Sequence, residues 1–335
     1  MLNIGVIGCG AIGRDHIRRL TDIVPGCQVV ACADYFEESA NKVAAQYEGM
    51  KVYKTGEELI HAPEVQAVVI TSSDPSHAGY VLEALKAGKF IFCEKPLAQN
   101  AGDCEKIIAA ETAHGRRLLQ VGFMRRYDPS YADAKAQIDA GHIGKPYLVK
   151  ATGLDPEALV ESCIKFSKTS GGIFIDAASH DIDLMRWFLG SEAAEVYAMG
   201  CTFKHPAFQD AGDDETGVAV YKFKNGAMGM VHVGRTAPYG YHIETEIVGT
   251  EGTIRISAVP EKNRAMVYDV NGARTECVES FPERFAEAYL TEMEEFVRCV
   301  REGRKPDTGV ADGIYATRVG YATTEAWKTG KIVKI

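Results

Sequence analysis

The chain has 335 residues, 46% apolar and 25% charged, with a net charge of −9. That balance describes globular domains, two of them at about 100–200 residues each, and the negative sign excludes a nucleic-acid partner, which calls for a basic face. No apolar run approaches the ~20 residues that span a bilayer, and the opening MLNIGVIGCGAIG lacks the basic start and cleavage site of a secretion signal, so no membrane partner and a cytoplasmic location are expected.

The first third alternates two patterns. The β-branched runs NIGVIG, QVVACAD, AVVITSS, FIFCEK and RLLQVGF read as strands buried on both faces. Between them, 37–47, 76–87 and 100–114 place apolar residues three and four apart, as helices do. Strand–helix–strand repetition implies a doubly wound parallel sheet, a dinucleotide-binding Rossmann domain over 1–122. From 123 to 335 the character changes. A helix over 128–140 precedes the strand PYLVKATG; 154–170 reads as a loop with a short helix, and a helix over 172–188 follows. Strands are then expected at 194–203, 215–224, 227–235, 241–249, 252–257, 264–269 and 274–279, with hairpin signals in KNGA and VGTEGT, and helices at 284–302 and 310–329 close the chain. This is an α+β domain for substrate and oligomerisation: an open, mostly antiparallel sheet with helices on one face. A broad uncovered face calls for a partner subunit. The nine cysteines form no CxxC pair and read as reduced thiols.

GCGAIG sits between a strand and a helix. Gly8 permits the turn, Gly10 lets backbone approach a pyrophosphate, and Gly13 lets the helix pack closely on the strand, with Ala11 and Ile12 completing the loop. Asp34, 21 positions after Gly13 and ending the second strand, suits the ribose hydroxyls and repels a 2′-phosphate. Tyr35 rather than arginine follows it, which favours NAD over NADP. The competing reading is a bare glycine turn with Asp34 as a helix cap. Thr71, Ser72, Ser73 and His77 end a further strand, where ligands collect in such sheets, although Asp74 and Ser76 also suit a turn and a helix cap.

Glu94 and Lys95 end the FIFCEK strand, and Pro96 holds the lysine backbone extended. The bland alternative is an exposed ion pair. In SGGIFIDAASHDIDLMRWFLG, Asp176 and His180 are four apart and share a helix face with Asp183 and Trp187. A carboxylate one turn from an imidazole forms a proton-transfer unit; a satisfied core histidine is the alternative, and no metal is expected, since no second histidine or cysteine cluster supports one.

The sequence resembles the glucose–fructose oxidoreductase, inositol dehydrogenase and rhizopine-catabolism (Gfo/Idh/MocA) family, most of all its inositol 2-dehydrogenase branch. The resemblance covers essentially the whole chain and rests on GVIGCGAIGRDHIRRL, CEKPLA, QVGFMRRYDPSY, GGIFIDAASHDIDLMRWFLG and YGYHIETEIVGTEGTI. It implies an NAD-dependent oxidation of a cyclic polyol, with Lys95, Asp176 and His180 as the catalytic set, Met124 and Arg125 near substrate or nicotinamide, Tyr239 or Tyr241 at the rim, and a homotetramer built through the open sheet. Inositol dehydrogenases carry a histidine and an asparagine after the strand that here reads LVKATG; this chain has Gly153, Leu154, Asp155 and Pro156. Asp155 becomes a substrate candidate, and the inositol isomer, or a pyranose sugar, is left open. A dehydrogenase of an aldose or anhydrosugar, a redox-neutral enzyme with tightly held NAD, and a non-catalytic NAD sensor are the rival readings.

Overall fold

The computed structural model describes residues 1–115, 118–257 and 261–335, so Arg117 of the RLLQVGF run lies outside the described residues. The chain divides into two compact units, Met1–Met124 with Glu287–Thr317, and Arg125–Ala286 with Arg318–Ile335.

The first unit alternates β1 (Leu2–Ile7), α1 (Ala11–Arg18), β2 (Cys27–Ala33), α2 (Glu37–Ala44), β3 (Lys51–Tyr53), α3 (Gly56–His61), β4 (Ala67–Ile70), α4 (Asp74–Lys86), β5 (Phe90–Glu94), α5 (Ala101–His114) and β6 (Leu119–Gly122). The strands pair in parallel in the order β3-β2-β1-β4-β5-β6. Every residue of β4 is buried, as expected of a strand with helices on both sheet faces. β3 and α3 escape the sequence reading: three residues are too few to show a period, and β3 is only partly buried at the sheet edge. The order reverses between β1 and β4, and the strands' carboxyl ends there carry Gly8, Thr71 and the loops that follow.

The second unit begins with α6 (Pro129–Asp139) and β7 (Pro146–Pro156), then α7 (Val160–Ser167), α8 (Ile173–Asp176), α9 (Ser179–Leu189), β8 (Ala193–Cys201), α10 (Ala207–Asp210), β9 (Thr216–Phe223), β10 (Met228–Ala237), β11 (His242–Gly249) and β12 (Thr253–Ile256). A hairpin of β13 (Glu261–Asp269) and β14 (Gly272–Cys277) follows, then α11 (Phe281–Arg284); α12 (Ala286–Glu302) and the first part of α13 (Val310–Thr329) return to the first unit, and the rest of α13 and β15 (Val333–Lys334) belong to the second. The large sheet runs β12-β11-β7-β10-β9-β8-β15, antiparallel except where β10 pairs with β7. Strict alternation sends Ile243, Thr245 and Ile247 of β11 inward. Tyr131 of α6 shares a hydrogen bond with Thr245 and stacks on Phe188 of α9, so both helices cover that face. On the other face Tyr197, Met199, Val218, Val220 and Met228 are exposed.

Three expectations are corrected. The strands at 264–269 and 274–279 do not join the large sheet; they form their own, largely exposed hairpin, because neither carries an alternating apolar face to bury. β7 runs on to Pro156, so Asp155 lies in a strand rather than a loop. The second domain does not take all of 123–335: α12 belongs to the first unit, because Met293, Phe296 and Val297 complete the core with Ile4, Val6, Ile17 and Phe92. Each such buried side chain contributes about 1.5–3 kcal/mol.

Candidate active site

Gly8 has φ +100°, and a Cβ there would lie 2.5 Å from the backbone of Thr71 and Ser72. A Cβ at Gly13 would lie 1.9 Å from the Gly8 carbonyl oxygen, so α1 can rest on the loop only as glycine. Gly10 is extended, with open space where a side chain would be. No side chain caps α1 and no acidic residue occupies its first turn, which leaves free N–H groups and the positive dipole end for an anion. Ala11 is exposed and Ile12 half-buried beside it. Asp34 accepts from Cys9 N at 2.6 Å and from Phe36 N at 2.8 Å, so it both shapes the glycine loop and opens the α2 turn. Each carboxylate oxygen keeps a lone pair for a ribose hydroxyl. The glycine cradle, the uncapped helix and this carboxylate fit a dinucleotide.

The β4 end is more scaffold than contact surface. Thr71 is buried and donates to the Gly8 carbonyl at 2.8 Å. The Ser72 and Ser76 hydroxyls pair at 2.7 Å, and Ser73, exposed, is the N-cap of α4. His77 departs from the expectation of cofactor contact: it is buried, with Nδ1 2.9 Å from the Pro96 carbonyl and Nε2 3.0 Å from that of Ser72. The ring thus lies between the β4 turn and the Glu-Lys-Pro corner, with a carbonyl acceptor beside each nitrogen. In that corner the Lys95–Pro96 bond is cis and Lys95 is half-buried. Glu94 pairs at 3.1 Å with Nε2 of His16, a fully buried residue of α1.

Near this corner lies Glu292 of α12, fully buried, with neither carboxyl oxygen partnered among the described residues. Burial, then the Glu94 charge, raise its pKa well above the ordinary carboxylate value of 4.5, with Arg19 opposing. The folded protein therefore keeps a proton that the unfolded chain has already released. Stability from this group is complete below the unfolded pKa and is lost as pH rises toward the folded one. Glu292→Gln should gain thermal stability relative to the parent as pH rises from 4.5 to 8, measured by thermal unfolding across that range; a difference constant with pH would reject it.

In the second unit, Asp176 ends α8 and His180 is the second residue of α9. The expected single helix over 172–188 is broken at Ala177 and Ala178, so the four-residue spacing is set by a turn between two helices. Asp176 is 7% and His180 8% exposed. Arg235 on β10 donates from Nη2 to Asp176 at 2.7 Å and from Nη1 to Asp155 at 2.6 Å. Burial works against the Arg235 charge, but Asp176 and then Asp155 hold its pKa above the ordinary arginine value.

Arg125, which the resemblance puts near substrate or nicotinamide, is buried in an ion pair. It is 3% exposed, donates to Asp181 at 2.6 Å and lies 5.6 Å over the Phe285 ring. A Cβ at Gly153 would come within 3.2 Å of Asp181, so glycine makes room for this pair. Asp183, expected on the catalytic stripe, is clamped by Arg126, which packs over Trp187. Met124 is buried. The two tyrosines part company: Tyr241 is buried against Arg125, whereas Tyr239 is 48% exposed and bonds Nδ1 of His242 at 2.9 Å. Among the described residues no group of three or more His, Cys, Asp or Glu could hold a metal ion, and no helix is long and apolar enough to cross a membrane.

The pattern that defines an oxidoreductase family with an NAD-binding Rossmann fold matches residues 2–123, and that of the GFO/IDH/MocA C-terminal domain matches 131–255. The chain belongs to the GFO/IDH/MocA oxidoreductase family. It is 36% identical to inositol 2-dehydrogenase 3 of Saccharopolyspora erythraea, over all of this chain and 95% of that one. With scyllo-inositol 2-dehydrogenase (NAD(+)) of Bacillus subtilis it shares 35% identity over 98% of this chain and 95% of the relative. The crystal structure of Lactobacillus casei scyllo-inositol dehydrogenase with bound NAD(H) and scyllo-inositol superposes with a TM-score of 0.96 at 33% identity, covering 100% of this chain and 99% of that one. Like its family, the protein is an NAD-dependent oxidoreductase acting on a CH–OH group.

Sequence reasoning missed Arg235. Its signal was parity: it continues the inward positions of Val231 and Val233. A cation there calls for a carboxylate partner, because arginine is almost never fully buried unpaired.

Proposed function

We propose that the protein oxidises a secondary alcohol of a cyclic polyol, an inositol, to the ketone, with NAD as hydride acceptor. The observation that carries this reading is a fold shared over the entire chain with a scyllo-inositol dehydrogenase whose structure holds NAD(H) and scyllo-inositol. NAD, when bound, supplies the hydride chemistry at its nicotinamide. Gly8, Gly10, Ala11, Ile12 and Gly13 hold its pyrophosphate, Asp34 takes the ribose hydroxyls, and Thr71, Ser72, Ser73, Glu94 and Lys95 shape the remainder of its site. His180 accepts the hydroxyl proton as general base. Asp176 orients the imidazole and stabilises its charged form. Lys95 donates to the substrate oxygen as negative charge grows on it. Asp155, with one oxygen anchored by Arg235, accepts from a neighbouring ring hydroxyl, and Tyr239 borders the ring.

An aldose or anhydrosugar is the second reading, favoured by Asp155 and Gly153 standing where inositol dehydrogenases carry other residues. A sensor would have no use for Lys95, Asp176 and His180 together. The exposed apolar face of the large sheet supports burial against further copies, and a homotetramer working in the cytoplasm is part of this proposal.

NADH formation measured at 340 nm across inositols and hexoses tests the function. Turnover with at least one inositol above every hexose is expected; a hexose ranking first would move the assignment to the second reading, and silence across the panel would sink both. Asp34→Ala should weaken NAD about 10–100-fold, the worth of one or two charge-assisted hydrogen bonds. It should also narrow the preference over NADP. An unchanged NAD to NADP ratio of kcat/KM would remove the ribose-binding role.

A further inference from the structure

β10 and β7 pair residue for residue from Met228 opposite Leu148 to Gly234 opposite Leu154, and then the register slips, so that Ala237 faces Pro156. Arg235 and Thr236 therefore stand against the single residue Asp155, a bulge of the kind that re-aims side chains beside functional sites. The bulge carries Arg235, 3% exposed, under α7 and α8. There its two terminal nitrogens go to two carboxylates from different elements: Asp155 from β7 at 2.6 Å and Asp176 from the end of α8 at 2.7 Å. The guanidinium Nε has no partner among the described residues.

We propose that Arg235 is a positioning residue that locks Asp155 and Asp176 into one rigid unit, so that the carboxylate orienting the base and the carboxylate receiving the ring hydroxyl keep a set separation. Arg235 does not touch the substrate; it acts through the two aspartates. This rests on the reading that both serve the substrate. The planar fork is essential. A guanidinium reaches two carboxylates at once in a set geometry, whereas an ammonium is a point donor on a flexible stem. A shift of about 1 Å at a catalytic group is enough for a loss of roughly 10²-fold.

The test combines kinetics with crystallography. Arg235→Gln should lose roughly 10²-fold in kcat, and Arg235→Lys should recover little of it despite keeping the charge. Asp155→Ala should lower kcat as well as raise KM, because Arg235 is then pulled onto Asp176 alone. Asp155→Asn, whose amide oxygen still accepts from Arg235, should have a kcat about tenfold above that of Asp155→Ala by the same displacement argument. A merely structural arginine would give no such rescue. Crystals of Arg235→Gln should show both carboxylates displaced from the positions they share here. Arg235→Gln that unfolds like the parent and keeps kcat within about threefold, or equal kcat for the two Asp155 variants, would overturn the proposal, since roughly 10²-fold is expected. If the parent protein oxidises no polyol, the proposed function fails instead, and the clamp is decided by the carboxylate positions in the Arg235→Gln crystals alone.

Discussion

His180→Ala is expected to lower kcat by roughly 10²–10⁴-fold, the usual share of a positioned proton acceptor. The loss should fall on kcat more than on KM, because the imidazole is needed as the proton leaves rather than for holding the polyol. The substitution is tolerable for the fold. His180 sits in the first turn of α9, whose anchoring comes from Ile182, Leu184, Met185, Phe188 and Leu189, all buried. His180→Gln should lose about as much, since an amide offers no base, and this separates proton acceptance from hydrogen bonding. Initial-rate kinetics with saturating NAD measure it, beside a thermal unfolding control. A His180→Ala protein with kcat near that of the parent would show that the proton goes elsewhere and would return His180 to the status of a core histidine.

Lys95→Met is expected to cost roughly 10²–10³-fold in kcat, the scale of losing one preorganised donor at a developing negative oxygen. Methionine preserves most of the stem, so packing at the corner survives while the ammonium is lost. The surrounding frame is rigid: Pro96 follows, its carbonyl is held by His77 at 2.9 Å, and Glu94 is held by His16 at 3.1 Å. Lys95→Arg should not restore activity, because the larger planar group needs a different site geometry. If Lys95→Met weakens polyol affinity while kcat survives, the ammonium binds the ground state and not the developing alkoxide, and the mechanistic role assigned to it falls.

Legibility followed the range of the interaction that decides each feature. The glycine loop was readable because its constraints are local: φ at Gly8 and the approach of Gly13 to the Gly8 carbonyl act within a few residues. The β4, β5 and β11 strands were readable from two-residue periods or continuous burial. The four-residue spacing of Asp176 and His180 was readable, but the backbone between them is a turn joining two helices and not one regular helix. What failed was long-range. The resemblance puts Arg125 near substrate or nicotinamide but says nothing of its partner Asp181, 56 residues on. Arg235 meets Asp155 across 80 positions and Asp176 across 59. His77 looked like a ligand and proved to be a strut, because its carbonyl partner at Pro96 belongs to the next strand end.

From the order of residues alone came the parallel sheet, the NAD cradle, the preference implied by Asp34 and Tyr35, and the family with its chemistry, since backbone conformation, period and short motifs are written in neighbouring positions. Only the folded chain decided which charges are paired and buried, and with what. It assigned α12 to the first unit through Met293, Phe296 and Val297, buried Arg125 and Tyr241, left Tyr239 exposed, and joined Asp155 to Asp176 through Arg235. The physical reason is that a buried charge must find its counter-charge in space, and nothing in the local sequence says from which strand or helix that partner will arrive.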